Sequence, residues 1–412
     1  MKVQRCTCAI FWLLSGFLLA ACMLPGFAIA QVGSEFAIQV PKSYSNTSKG
    51  SLTLHYEVIS QLGGSSNKTL IMIPGGPGNT GDYLKDRTFI EGLRTHFRLV
   101  LIHPRGSPKS VLTFEEVQDT AINQVRNMAL DVEEVRRSLK DARSVFVYGH
   151  SFGGLVGLLY SGLFPDRVSG LISHSSLADY GLIRRLSRQS EDFSRSQLSQ
   201  IFEKALVQIG VPGEMEIYRT LIEQAEKKAA RGEIVVVREG ERWTVGPHDL
   251  RLMLAEILMD TLERSKEFLR SIVEGTSLAT NQLLERWEQI VRHDSPDLRN
   301  VLYCSEFLTD VELRHRLVKQ EGSLRDYHCS RYKIINRPDP IDFVKIQQSV
   351  KAPVLVVYGR YDFVTPADFT LSGFHRLSRV QLKELSRSTH YGYQTEQDSL
   401  VQAITEFATP TR

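Results

Sequence analysis

The chain has 412 residues, 42% of them apolar and 24% charged, the composition of a globular protein with room for one large domain or a core carrying a sizeable insertion. Its formal charge is +3, and Lys2 and Arg5 carry two of those three charges, so there is no electrostatic footprint for nucleic acid and no polybasic membrane patch. No Cys-x-x-Cys pair, His-Glu-x-x-His pair or EF-hand loop occurs, so no metal or cofactor is implied.

Residues 1–30 read as an export signal. Lys2 and Arg5 give a positive start, Ile10 to Met23 an apolar run, Pro25 a helix break, and Ala28-Ile29-Ala30 a cleavage site before Gln31. Within the same stretch Leu19-Ala20-Ala21-Cys22 resembles a lipobox, whose cysteine carries lipid, although Met23, Leu24, Phe27 and Ile29 keep the next residues apolar where a lipoprotein turns polar. The apolar run is also long enough for an uncleaved anchor. The expectation is a soluble periplasmic or secreted protein, with a lipid anchor through Cys22 and an uncleaved anchor as alternatives. Cleavage after Ala30 leaves Cys304 and Cys329 as the single cysteine pair in an oxidising compartment. One disulfide is the natural reading, and two buried free thiols are the alternative.

Phe36 to Val40 and Leu52 to Ile59 read as extended segments, the second alternating apolar and polar near a sheet edge. Leu62 to Lys68 is a turn, and Thr69 to Ile73 a continuous apolar strand of the kind covered on both faces. That strand runs into Pro74-Gly75-Gly76-Pro77-Gly78. Phe97 to Ile102 is a second buried strand, ending at His103-Pro104-Arg105-Gly106. Asn123 to Lys140 has helical spacing, Val145 begins a third buried strand, Leu155 to Leu163 suits a helix, and Val168 to Ile172 is the next strand. Strands alternating with helices imply a mostly parallel central sheet with flanking helices. From residue 183 to about 300 the pattern is almost wholly helical, with runs at Leu198 to Ile209, Ile217 to Ala229 and Leu250 to Leu258, plus a short strand at Ile234 to Val237. We read this as a helical cap inserted between strands. Strands resume at Pro353 to Tyr358 and Val380 to Leu385, and a helix closes the chain from Asp398 to Phe407. The resulting division is a signal at 1–30, core at 31–180, cap at 181–345 and core again at 346–412.

The chemistry centres on Gly149-His150-Ser151-Phe152-Gly153, set between a buried strand and a helix. That is the sequence form of a nucleophile elbow, in which a cramped turn pushes the serine hydroxyl out of the sheet. A serine needs a base, and the base an orienting acid, which in this architecture follow in the order Ser, Asp/Glu, His. Asp362 stands just past the strand that ends at Gly359, and His390 stands in the loop after the last strand, so Ser151, Asp362 and His390 form the expected triad. The oxyanion needs two backbone donors, assigned to the N–H groups of Phe152 and Gly76. His150 is expected to pack at a strand end rather than to act as a base. Arg105, near His103 at the active end of its strand, is expected to hold loops together. Glu306 can present a carboxylate into the cleft or lie solvated on the surface.

These residues resemble the α/β-hydrolases of the prolyl iminopeptidase and tripeptidyl aminopeptidase family. The resemblance rests on Pro74 to Gly78, His103 to Gly106, Gly149 to Gly154, Gly359-Arg360-Tyr361-Asp362 with Thr365-Pro366, and His390. It covers about residues 50–180 and 345–410. In the cap it is limited to Val301-Leu302-Tyr303-Cys304-Ser305-Glu306 and Cys329, which are similar to the exported peptidase branch. The resemblance implies an α/β-hydrolase fold, release of residues or short peptides from free N-termini, and a role for Glu306 in receiving the substrate amine. The chain departs from the family in three places. Pro74 stands where His is usual, His103-Pro104 where Asp-Gln is usual, and Phe152 where Trp is usual. None of these changes touches the backbone donors or the triad, but they loosen the link to N-terminal proline. A carboxylesterase acting on small acyl esters is the alternative.

Overall fold

The computed structural model describes residues 33–63, 68–185, 215–238, 241–244, 262–275, 295–307, 329, 332–334, 338, 340–362 and 364–409. Ten strands occur among them: β1 Gly33–Pro41, β2 Ser51–Ile59, β3 Thr69–Ile73, β4 Arg98–His103, β5 Val145–His150, β6 Val168–His174, β7 Val235–Arg238, β8 Glu241–Thr244, β9 Val354–Gly359 and β10 Val380–Leu385. The helices are α1 Arg87–Arg94, α2 Phe114–Gln118, α3 Val125–Ser138, α4 Phe152–Leu163, α5 Met215–Ala230, α6 Leu262–Glu274, α7 Pro296–Leu302, α8 Phe343–Ser349, α9 Ala367–Gly373, α10 Gly392–Thr395 and α11 Gln397–Ala408.

Eight strands form one sheet in the order β1-β2-β4-β3-β5-β6-β9-β10. β1 pairs antiparallel with β2, and β2 with β4; every later pairing is parallel. Successive side chains on a strand point to opposite faces. The central strands are largely apolar on both faces because both are covered: all five residues of β3 are buried. Ile71, Val100, Val147, Leu171 and Val356 face α3, α4 and α8, while Leu70, Met72, Leu101, Tyr148 and Val357 face α1 and α11. β2 shows the expected alternation, with Leu52, Leu54 and Tyr56 buried and Thr53 exposed, and it lies one strand in from the edge, behind β1.

The strand and helix assignments made from sequence fall on described elements, apart from three. The helical runs at Leu198 to Ile209 and Leu250 to Leu258, and the export signal, lie outside the described residues. β7 has an antiparallel partner, β8, which sequence patterning did not reveal. Among the described residues, those between β6 and β9 add no strand to the main sheet, as an insertion requires. Cys304 and Cys329 are joined as a disulfide with both residues buried, so the paired reading holds. Cys304 is the second residue of a wide helical turn, Tyr303–Phe307, that continues α7.

Arg105 acts as the predicted loop clamp. It is fully buried, and its Nε and Nη2 grip the Asp131 carboxylate of α3 at 2.6 and 2.5 Å. Its other N–H groups donate to the carbonyls of Lys42, Ile122 and Pro41 at 2.5, 3.0 and 3.1 Å, so the end of β1, the loop after β4 and α3 share one cation. Tyr44 adds a hydrogen bond to Asp131 at 2.9 Å. Removing one partner of such a pair leaves the other charged and buried, so Arg105→Met is expected to lower unfolding stability by about 3–5 kcal/mol, measured by urea denaturation.

Candidate active site

Ser151 occupies the turn between β5 and α4 with φ 53° and ψ −125°, a region disfavoured for a residue with a side chain. Three glycines make this turn possible. A Cβ on Gly149 would overlap the Gly153 carbonyl, one on Gly153 the Ile73 carbonyl, and one on Gly154 the Ser176 side chain. The turn is pinned by the Ser151 N–H, which donates to the His174 carbonyl at 2.9 Å, and by the Gly154 N–H, which donates to the Ser151 carbonyl at 2.9 Å.

Asp362 and His390 meet as a pair at the C-terminal end of the parallel strands. His390 Nδ1 lies 3.0 and 3.2 Å from the two Asp362 oxygens. The carboxylate also accepts the N–H groups of Val364 and Thr365 at 2.9 and 2.8 Å and the Thr365 hydroxyl at 2.8 Å. Burial pushes the Asp362 carboxyl up, but His390 and the Thr365 donors outweigh it and hold the group below its ordinary value. Gly359 lets the loop carrying His390 approach: a Cβ there would overlap the Thr389 carbonyl. Arg360 and Tyr361 N–H groups then donate to the Leu385 and Ser388 carbonyls at 3.0 Å each, stitching the Asp362 loop to the His390 loop. The His390 ring lies 4.8 Å from that of His150, so this loop sits beside the elbow. Among the described residues no hydrogen bond joins the half-buried Ser151 hydroxyl to His390. Such contacts often tighten only when substrate binds.

The glycine loop after β3 abuts the serine. A Cβ on Gly75 would come within 2.9 Å of the Ser151 Cβ and 2.9 Å of the Tyr83 hydroxyl. Gly76 adopts φ 116°, which favours glycine. Phe152 is the first residue of α4, where N–H groups have no acceptor within the helix. The two proposed donors thus belong to backbone on either side of Ser151.

Glu306 is not a solvated surface residue. One oxygen accepts the N–H of Val125, the first residue of α3, at 2.8 Å, and the other the Tyr180 hydroxyl at 2.6 Å. Burial drives its carboxyl up to about 7 against those two donors. The next residue, Phe307, packs 6.1 Å from the Phe152 ring and 5.0 Å from the Tyr180 ring, which brings this segment to the residue after Ser151.

Three further site features were not legible in sequence. His103 is buried and its Nδ1 accepts the Gly81 N–H at 3.1 Å, supporting the Gly81–Leu84 turn. Burial holds its imidazole down to about 4. Its neighbours Glu57 and Asp82 come close enough for a metal trio, but both pair with Lys85, and Asp82 with Lys109 as well, so lysine ammonium groups supply the positive charge. Tyr83, on the same turn, reaches Gly75 and His150. His150 is buried as expected, but it is hydrogen-bonded at both ring nitrogens as well as packed.

Residues 68–396 match the family described as the alpha/beta hydrolase fold. Over 120 residues the chain is 33% identical to a probable proline iminopeptidase of Leptolyngbya boryana, covering 29% of this chain and 34% of that protein. Over 122 residues it is 32% identical to a proline iminopeptidase of Arabidopsis thaliana, covering 29% of each. A proline iminopeptidase of Saccharolobus solfataricus is 25% identical over 144 residues, covering 35% of this chain and 43% of the relative. The chain thus spans well under half the length of the curated relatives it matches. Among solved structures, VinJ superposes with a TM-score of 0.53 at 15% identity over 91% of this chain and 98% of its own. The esterase RhEst1 from Rhodococcus sp. ECU1013 superposes with a TM-score of 0.51 at 15% identity over 92% and 98%. Both are likenesses of fold.

Because the Asp362 carboxyl is held below its ordinary value, its contribution to stability is present above about pH 4 and lost as pH falls through the lowered value. Thr365→Val removes a hydroxyl donor to a buried charge and is expected to cost about 1.5–3 kcal/mol at pH 7, a difference that shrinks on acidification below pH 3, as followed by urea unfolding at both pH values.

Proposed function

The chain belongs to the α/β-hydrolase fold family, and from that premise we propose that it is an exported serine hydrolase that releases residues or short peptides from free N-termini. The observation that carries this reading is the Asp362–His390 pair, set beside the elbow that presents Ser151. In the proposed reaction His390 takes the Ser151 proton as the hydroxyl attacks the scissile carbonyl, then gives it to the leaving amine. Asp362 fixes the imidazole with Nδ1–H toward the carboxylate, which leaves Nε2 for the proton transfers, and it stabilises the imidazolium. The N–H groups of Phe152 and Gly76 receive the oxyanion, which exists only after attack and therefore draws on these donors at the transition state. Water then cleaves the acyl-enzyme by the same steps, with His390 as base.

Glu306 supports the preference for a free amine. It combines a half-buried carboxylate with a position on the aromatic wall of Phe152, Phe307 and Tyr180. Each of its oxygens accepts one protein donor and retains a lone pair for an ammonium group. The same aromatic wall favours a second reading, a carboxylesterase that uses the apolar surface for an acyl chain and makes no use of Glu306. Export, to the periplasm or beyond, is supported by the signal-like residues 1–30. Intact mass of the protein recovered from outside the cytoplasm distinguishes a start at Gln31 from a lipidated Cys22.

Ser151→Ala is expected to lower kcat on aminoacyl and ester reporters by on the order of 10⁴–10⁶, with the folded state intact by circular dichroism. Undiminished turnover in that variant refutes the serine mechanism. For the amine site, kcat/KM on free-amine substrates is expected to exceed that on blocked ones most at about pH 7–8, where Glu306 ionises and a peptide α-amine keeps its proton. That ratio falls as pH drops below about 7, because Glu306 gains its proton there. Glu306→Gln should flatten the ratio and raise KM for free amines about tenfold or more while leaving blocked esters unchanged. A wild-type ratio of one at every pH selects the esterase reading.

A further inference from the structure

Behind the proposed oxyanion loop and base runs a line of hydrogen bonds whose polarity can be assigned end to end. The Gly75 N–H donates to the Tyr83 hydroxyl at 2.6 Å, the Tyr83 hydroxyl lies 2.6 Å from His150 Nδ1, and His150 Nε2 lies 2.9 Å from the His390 carbonyl. A carbonyl oxygen only accepts, so Nε2 carries the His150 proton. Nδ1 is then the acceptor and takes the Tyr83 O–H, whose oxygen takes the Gly75 N–H. Every donor in the line has an acceptor, and all the bonds point the same way, an arrangement in which each bond strengthens the next.

The two rings in the line have little freedom. His150 is 1% exposed, lies 5.0 Å from the His174 ring and 5.2 Å edge-on from Tyr393, and cannot flip without losing both hydrogen bonds. Tyr83 sits edge-on to Tyr393 at 5.7 Å, on the turn that His103 supports through Gly81. One end of the line therefore sets the backbone immediately before Gly76, and the other sets the backbone of His390 itself.

We propose that Tyr83 and His150 are positioning residues that couple the placement of the Gly75-Gly76 oxyanion loop to the placement of the His390 loop. They touch neither substrate nor the transferred proton. Since the oxyanion forms only after attack, loosening the loop weakens transition-state binding and leaves substrate binding nearly unchanged. The proposal rests on the serine-hydrolase reading above.

The test uses the full chain. Tyr83→Phe keeps the ring and deletes its bonds to Gly75 and His150; His150→Phe keeps a buried ring and deletes its bonds to Tyr83 and His390; the double variant closes the cycle. Tyr83→Phe is expected to lower kcat by about 10–100-fold with KM within about twofold, and to weaken a boronic-acid transition-state analogue by the same factor while product affinity holds. The double variant is expected to fall no more than about threefold below the worse single one, because one line is broken once. A Tyr83→Phe kcat within twofold of the parent overturns the proposal. So does a loss seen only in KM or thermal midpoint, or single effects that multiply. If His150→Phe does not fold, the kcat-against-KM split and the analogue affinity of Tyr83→Phe decide alone. Turnover retained in Ser151→Ala refutes the hydrolase reading. An inactive Ser151→Ala beside a Tyr83→Phe with parental kcat refutes the coupling only.

Discussion

The backbone of Ser151, held at φ 53°, is the constraint around which the core is arranged. A non-glycine residue in such a region costs on the order of 1–3 kcal/mol, and it persists only where its surroundings over-determine it. Here they do. β5 is buried between β3 and β6, α4 packs against β3, β5 and β6, and the carbonyl of His174 holds the serine N–H. Close backbone approach is the common device: Gly149, Gly153 and Gly154 bring strand, turn and helix together, and Gly75 brings the neighbouring loop to the serine. Gly359 repeats the device on the far side of the site, where the loop carrying His390 crosses the end of β9.

Much of this was legible in the sequence because burial leaves a simple mark. A parallel strand covered on both faces reads as an unbroken apolar run, as Thr69 to Ile73 does, and the order of Ser151, Asp362 and His390 follows from where such runs end. α1 was missed despite a readable signal: Asp86 caps it through the Phe89 N–H, and Phe89, Ile90 and Leu93 form its buried stripe over only eight residues. β8 was missed because Glu241-Arg242-Trp243-Thr244 carries no apolar run. Tyr83 leaves no pattern at all. Its role comes from meeting Gly75 and His150 in space, 8 and 67 positions away, and a lone tyrosine in a short turn does not announce that. His150 was read as a packing residue for a sound reason, its place at a strand end, yet packing alone undercounts a ring bonded at both nitrogens.

Glu306 shows how the insertion and the core are made to act together. Its carboxylate lies at the first N–H of α3, where a helix favours negative charge, and the Cys304–Cys329 bond two residues earlier fastens the segment that carries it. The charge is thereby brought to the wall of the site at a desolvation cost large enough to move its titration up to about 7. The carboxylate is poised so that a modest change in surroundings changes its state.

The pairing of β6 with β9 has a consequence for how the protein comes into being. Leu171 pairs with Val354, so two adjacent strands are separated by the whole of the inserted region. Contacts this distant along the chain form late, because a large loop must close before they repay its entropy. During synthesis the elbow, the glycine loop and the strands that carry them are all made before Val354 appears, while Asp362 and His390 belong to the last part of the chain. A nascent or truncated polypeptide therefore carries Ser151 without Asp362 and His390, and the three come together only when the final two strands dock.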